Sequence, residues 1–273
     1  MDGEYAGGDF GGFSAFDFGG WSFGGWASLD SGGYGSAMTM DQYNSSINAP
    51  TTASAGNNSN SFLFTTNGTI LGGSLTPDNY YRDAEGNGNS ANFTNELADK
   101  LGISKDNSYF LSWSGQNKKG VRDLAIDSFV KDIISTPGLT QDSEITLFGH
   151  SHGGNIMVGA GDQLTDLGYN VKMVYSIDAP VRQDYQPNGS YNMIQTYSNK
   201  DWAQTKGTVD FDHIMTPEPV YGGHTFNVPG VNNIDITNFY NSYYSNSNYS
   251  VPSGPCSIHQ AGRDFNFLSS FLF

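Results

Sequence analysis

Cysteine is almost missing from this chain. Cys256 is the only one in 273 residues, so no disulfide can form within it. A lone thiol with no activating context reads as a small passive side chain rather than a nucleophile. Positive charge is scarce too: 12 Lys and Arg stand against 27 Asp and Glu, a formal net charge of −15. Such a surface repels phosphate backbones, which disfavours nucleic-acid binding, and it gives no electrostatic attraction to anionic lipid. No apolar run is long enough for a membrane-spanning helix. No basic segment followed by an apolar one opens the chain, so an ordinary signal peptide is not expected. What is abundant is Gly, Ser, Asn and Tyr, a composition that suits an exported or extracellular surface.

These residues are unevenly spread. The unit Phe-Gly-Gly-aromatic occurs at Phe10 to Phe13, Phe18 to Trp21 and Phe23 to Trp26, and a Ser/Thr/Asn-rich stretch runs from Asn44 to Asn60. So much glycine makes ordering costly, and few aliphatic side chains offset that cost. Residues 1–58 therefore read as a leader or linker, and residues 59–273 as the catalytic domain. An alternative use of the leader's aromatics is docking on a partner or on that domain.

From Ser61 the pattern alternates. Strands are expected at Ser61–Thr66, Tyr109–Trp113, Val171–Ile177 and Met193–Tyr197. Helices are expected at Phe93–Leu101 and Val121–Ile134, the latter with Val121, Ala125, Phe129 and Ile133 in one apolar row. Strand and helix in turn predict an α/β fold with a mostly parallel sheet and helices on both faces. In such sheets reactive groups gather at the carboxyl ends of the strands.

The chemistry is concentrated at Glu144-Ile-Thr-Leu-Phe-Gly-His-Ser-His-Gly-Gly154. A short apolar strand runs into Gly149-His150-Ser151-His152-Gly153. A helical pattern follows in Ile156, Met157, Ala160 and Leu164, with Gly168 as its stop. This is the form of a nucleophile elbow, G-x-S-x-G, with Ser151 at the tip of the turn. The turn forces the serine into a strained backbone conformation, and the glycines relieve crowding around it. The pentad also arises by chance in a chain this rich in Gly and Ser, and it recurs around Ser22. That copy has neither strand before it nor helix after it, and is set aside.

A serine nucleophile needs a base, and the base needs an orienting carboxylate, in the chain order Ser, acid, His. Asp201, two strands after the elbow, is favoured as the acid over Asp178, which ends the strand Val171–Ile177 and has a turn role open to it. His259, in a loop ahead of an apolar segment at Arg263–Phe271, is favoured as the base over His224, with His213 third. His150 and His152 are expected to line the pocket or pack the elbow. The oxyanion hole should use the backbone N–H of His152 and a second donor from the loop at Gly68 and Thr69, for which a simple tight turn is the competing reading. No metal and no cofactor are needed, since His150 and His152, though two apart, flank a sharp turn and diverge. The tract from Phe239 to Tyr244 reads as a solvated Asn/Tyr loop, with a lid or interfacial membrane contact as the alternative.

Three stretches carry a resemblance. Thr66-Asn-Gly-Thr69, Leu111-Ser-Trp-Ser-Gly-Gln-Asn117 with Arg122, and Leu147-Phe-Gly-His-Ser-His-Gly-Gly-Asn155 resemble lipase-type α/β-hydrolase domains found at the C-terminal ends of bacterial RHS/YD-repeat proteins. The resemblance spans about Ser61 to Phe273 and is poorest between His213 and Pro255. It implies a lipase or phospholipase acting on carboxylic esters, delivered against competing bacteria as part of a larger secreted protein, with an immunity protein as partner. Beside that stand a hydrolase of small esters, thioesters or peptides, and a binding module on a hydrolase fold without catalysis.

Overall fold

The computed structural model describes residues 60–70, 74–182, 184–185, 187–198, 200–201, 203–204, 228–246 and 257–273. Within them six strands form one sheet: β1 (Ser61–Thr66), β2 (Ser108–Leu111), β3 (Glu144–His150), β4 (Val171–Ile177), β5 (Asn192–Tyr197) and β6 (Asn232–Asp235). The order across the sheet is β2-β1-β3-β4-β5-β6, and every neighbouring pair is parallel. The helices are α1 (Ser90–Leu101), α2 (Lys119–Ile134), α3 (His152–Asp166), α4 (Thr237–Asn246), α5 (Ser257–Ala261) and α6 (Phe265–Leu272).

Side chains alternate between two cores. On one face Phe62 and Phe64 of β1 and Ile145 and Leu147 of β3 meet Phe129 and Ile133 of α2 and Ile156 and Leu164 of α3. On the other, Leu63 and Phe148 meet Phe93 and Leu97 of α1 and Phe267 and Phe271 of α6. With both faces covered, the strands can be apolar along their length, which is why β1 is buried throughout. The expected α/β architecture, α/β-hydrolase-like with helices on both faces, is what forms.

Local chemistry sets the helix ends. Asn89 caps α1 by accepting from Asn92 N, and Gly102 closes it in the left-handed conformation at φ 69°. Asp264 caps α6 by accepting from Phe267 N. The expected strand Tyr109–Trp113 is shorter than its apolar run, because Trp113 leaves the sheet to serve the neighbouring loop. The tract from Phe239 to Tyr244 corrects the sequence reading. It lies in α4, where Phe239, Tyr240, Tyr243 and Tyr244 fall at helical spacing on one side and pack on Phe267. Strand β6, whose polar sequence gave no signal, pairs along Tyr197 and its neighbours.

The chain leaves β1 in one direction to make β2 and returns past it to make β3. The sheet order therefore reverses between β1 and β3. In open parallel sheets the crevice beyond the carboxyl ends at such a point is where ligands bind. Here it lies between the loop after β1 and the turn after β3. Among the described residues no helix is long and apolar enough to cross a membrane.

Candidate active site

Ser151 sits between β3 and α3 with φ 56° and ψ −136°, a conformation that costs a non-glycine residue energy and persists only where the surroundings enforce it. Two features enforce it. The Ser151 N–H donates to Ile177 O at 2.8 Å, which ties the turn to the end of β4. A β-carbon on Gly149 would overlap the carbonyl of Gly153, so the strand can pass the first turn of α3 only because Gly149 has none. Ser151 is 5 % exposed, and its hydroxyl has no hydrogen-bond partner among the described residues. As the first residue of α3, His152 has no acceptor for its N–H within the helix.

The loop after β1 is held against this turn by Trp113. The indole Nε1–H donates to Asn67 O at 2.5 Å, the Trp113 N–H donates to Asn67 Oδ1 at 3.1 Å, and Asn67 Nδ2 donates to Trp113 O at 3.2 Å. The Ile70 N–H donates to Gly115 O at 3.0 Å one step further on. The Trp-Ser-Gly and Asn-Gly-Thr stretches thus form one rigid unit. Gly68 lies so close to Ser151 that a β-carbon there would fall 2.7 Å from Ser151 Cβ and 2.6 Å from His150 O, and would overlap the Tyr80 hydroxyl. Thr69 Oγ1 is buried without a hydrogen-bond partner among the described residues.

Asp201 and His259 come together. His259 Nδ1 is 2.9 Å from Asp201 Oδ2, with the aspartate fully buried and the imidazole 14 % exposed. A carboxylate only accepts, so Nδ1 carries a proton, which in the neutral ring leaves the lone pair on Nε2. The other oxygen of Asp201 accepts from Ala203 N at 2.8 Å, which fixes the carboxylate. The His259 ring packs against that of His150, the residue before Ser151, with centroids 4.4 Å apart. His259 lies in the short helix α5 rather than in the expected loop. His224, His213, Cys256, Ser22 and the leader 1–58 lie outside the described residues.

Asp178 lies at the end of β4 with φ 49°. Its Oδ1 accepts from Thr196 Oγ1 at 2.9 Å, while Oδ2 is buried with no hydrogen-bond partner among the described residues. Burial first, and then the neighbouring charge of Asp201, push its carboxyl up to about 7, against the opposing pull of His259 and Thr196. It is placed as a second carboxyl beside the His259–Asp201 pair, not as the one bonded to the imidazole.

The flanking histidines have distinct settings. Burial and then the guanidinium charges of Arg122 and Arg182 hold His152 well below the usual imidazole range, so it stays neutral. Its Nδ1 lies 3.3 Å from Asn155 Nδ2. Arg122 is itself fully buried, donating to Asn117 Oδ1 at 2.8 Å and lying over the Tyr185 ring at 5.8 Å. His150 is fully buried between Tyr80, at 2.6 Å from Nδ1, and the carbonyl of His259, at 2.8 Å from Nε2. Sequence reading missed Tyr80. It sits in a stretch with no motif, and only the fold brings it to the elbow. Among the described residues no group of His, Cys, Asp and Glu is arranged to hold a metal ion.

No family model and no curated protein sequence matches the chain. Solved structures with a similar course of chain include an arylesterase, at 12 % identity and TM-score 0.38 over 66 % of this chain and 67 % of that one. ESTFA in an FE-lacking apo form aligns at 11 % identity and TM-score 0.34, over 76 % of each chain. Est1E from Butyrivibrio proteoclasticus aligns at 11 % and 0.36, over 66 % of this chain and 79 % of that one. Likeness this distant assigns neither activity nor substrate.

Proposed function

We propose that the protein is a serine hydrolase that cleaves carboxylic esters by acyl transfer. The observation that carries this is the His259–Asp201 hydrogen bond, with the imidazole packed on the residue next to a strained Ser151. Ser151 Oγ attacks the ester carbonyl and its proton passes to His259 Nε2. Asp201 keeps the Nδ1 proton in place and stabilises the imidazolium without taking that proton. The oxyanion is held by the His152 N–H and by Thr69, whose N–H and hydroxyl lie in the loop pinned by Trp113. The imidazolium then protonates the leaving alcohol. Water, activated by the same nitrogen, attacks the acyl-enzyme, and the acid leaves as Ser151 regains its proton.

The substrate proposed is a lipid or phospholipid ester. Its support is the likeness of the Thr66–Thr69, Leu111–Asn117 and Leu147–Asn155 stretches to lipase-type domains of RHS/YD-repeat proteins. Delivery to a target bacterium and restraint by an immunity protein rest on that likeness alone.

The test is hydrolysis of p-nitrophenyl butyrate, p-nitrophenyl palmitate and phosphatidylethanolamine vesicles by the wild type and by Ser151→Ala. Turnover of palmitate or vesicles that is lost in Ser151→Ala supports the whole proposal. Turnover confined to butyrate retains the esterase and overturns the lipid substrate. No Ser151-dependent turnover, together with no labelling of Ser151 by a fluorophosphonate probe, overturns the enzyme.

A further inference from the structure

The five-residue helix α5 carries His259 and is too short to satisfy its own carbonyls. Gln260 O and Ala261 O are taken by the N–H groups of Arg263 and Asp264 as the chain turns into α6. His259 O is left, and its partner is a side chain: His150 Nε2 at 2.8 Å. A carbonyl can only accept, so Nε2 must carry a proton. His150 is neutral, since burial, and then the neighbouring His259 and Arg263, hold it well below the usual imidazole range. Its Nδ1 is therefore a lone pair, and the Tyr80 hydroxyl 2.6 Å away must be the donor. Every hydrogen in the chain Tyr80 to His150 to His259 O is thus assigned, and all run one way.

The surroundings keep the chain in place. Burial pushes the Tyr80 hydroxyl well above the ordinary phenol range, so it remains a donor. The Tyr80 ring lies under the Arg263 guanidinium at 5.2 Å. The segment beyond it pairs with the turn between α5 and α6, with the Arg82 N–H donating to Arg263 O at 2.9 Å and the Phe265 N–H donating to Arg82 O at 3.1 Å. Gly262, three residues after His259, leaves no room for a side chain: a β-carbon would lie 2.7 Å from His150 Cδ2 and 2.5 Å from Asp178 Oδ2.

We infer that His150 and Tyr80 are positioning residues for His259: the neutral His150, oriented by the Tyr80 hydroxyl, fixes the backbone of α5 so that the imidazole bonded to Asp201 is held beside the elbow. The residue before the nucleophile thereby fastens the base, which arrives from more than a hundred residues further along the chain. The inference rests on the reading of His259 as the base.

The test combines ¹⁵N-imidazole spectra with kinetics. In the wild type His150 should show the neutral tautomer protonated at Nε2, unchanged from about pH 5 to 8, across the range where an ordinary histidine titrates. In a folded His150→Leu the downfield Nδ1 proton of His259 should weaken or shift, and kcat should fall by about 10²-fold with KM little changed, as expected when a reacting group is displaced by about 1 Å. His150→Gln keeps an N–H donor and should recover most of kcat. Tyr80→Phe should release the tautomer of His150. A wild-type His150 protonated at Nδ1 overturns the inference without any variant. A folded His150→Leu with an unmoved His259 signal overturns it as well, whatever the activity. Loss of all Ser151-dependent turnover in the wild type would instead sink the esterase reading, while the His259 signal still decides whether His150 holds α5.

Discussion

His259 Nδ1 and Asp201 Oδ2 stand 2.9 Å apart, joining residues 58 positions apart in the chain. If this bond sets the imidazole tautomer, Asp201→Asn should leave the fold intact and turn Nδ1 into an acceptor facing an amide donor. The expected loss in kcat is about 10⁴-fold, the cost of a wrong tautomer in a serine triad. It is read from initial rates on p-nitrophenyl butyrate, with circular dichroism as the check on folding.

Asp178 makes stability depend on pH. The unfolded carboxyl ionises near 3.8 and the folded one at about 7, so the native state binds more protons between those values. Its stabilising contribution is full below about pH 4 and is lost as pH rises through about 7. Asp178→Asn should remove that decline, so the mutant's thermal midpoint should exceed the wild type's above pH 7 and show a flatter slope between pH 4 and 7. A wild-type midpoint that does not fall relative to the mutant across this window would refute the assignment.

Trp113 is the post that holds the Asn67–Thr69 loop. Trp113→Phe keeps an aromatic ring but removes the Nε1–H donor and leaves the buried Asn67 carbonyl without it. An unsatisfied buried acceptor costs about 1–3 kcal/mol, which denaturant unfolding would register. Because this loop carries Thr69, kcat should fall as well, and by more than KM rises.

Gly68→Ala should damage the site, because no room for a methyl group exists there. The new β-carbon would meet the Tyr80 hydroxyl, His150 O and Ser151 Cβ together, and none of these can retreat without disturbing the elbow or the His150 chain. Overpacking of this kind costs about 1–3 kcal/mol. The expected result is a folded, less stable protein with kcat lowered far more than that stability loss explains, measured by melting and by turnover in parallel.

Much of this was legible in the chain itself. The elbow was, because strand, turn glycines and helix are contiguous from Glu144 to Leu164 and the requirement for Gly149 is local. The parallel sheet was, because the runs Ser61–Thr66, Tyr109–Trp113, Glu144–Phe148 and Val171–Ile177 alternate with segments of helical periodicity. Chain order also singled out Asp201 and His259 as candidates. Aromatic rings among Asn and Ser misled the reading of the tract from Phe239 to Tyr244, since the partners that bury one side of this helix, Phe267 and Phe271, come later in the chain.

What the sequence determined by itself is therefore whatever depends on near neighbours: the elbow with its turn glycines around Ser151, and the periodicity of the strands and helices from Ser61 to Ile177. Tertiary structure alone decided which carboxyl meets His259 and which stays beside it as a buried acid. It alone brought Tyr80 to His150, 70 positions on, and Trp113 to Asn67, 46 positions back. The reason is physical. A hydrogen bond between distant side chains imposes no period and no spacing on the chain, so it leaves no local mark until packing closes the distance.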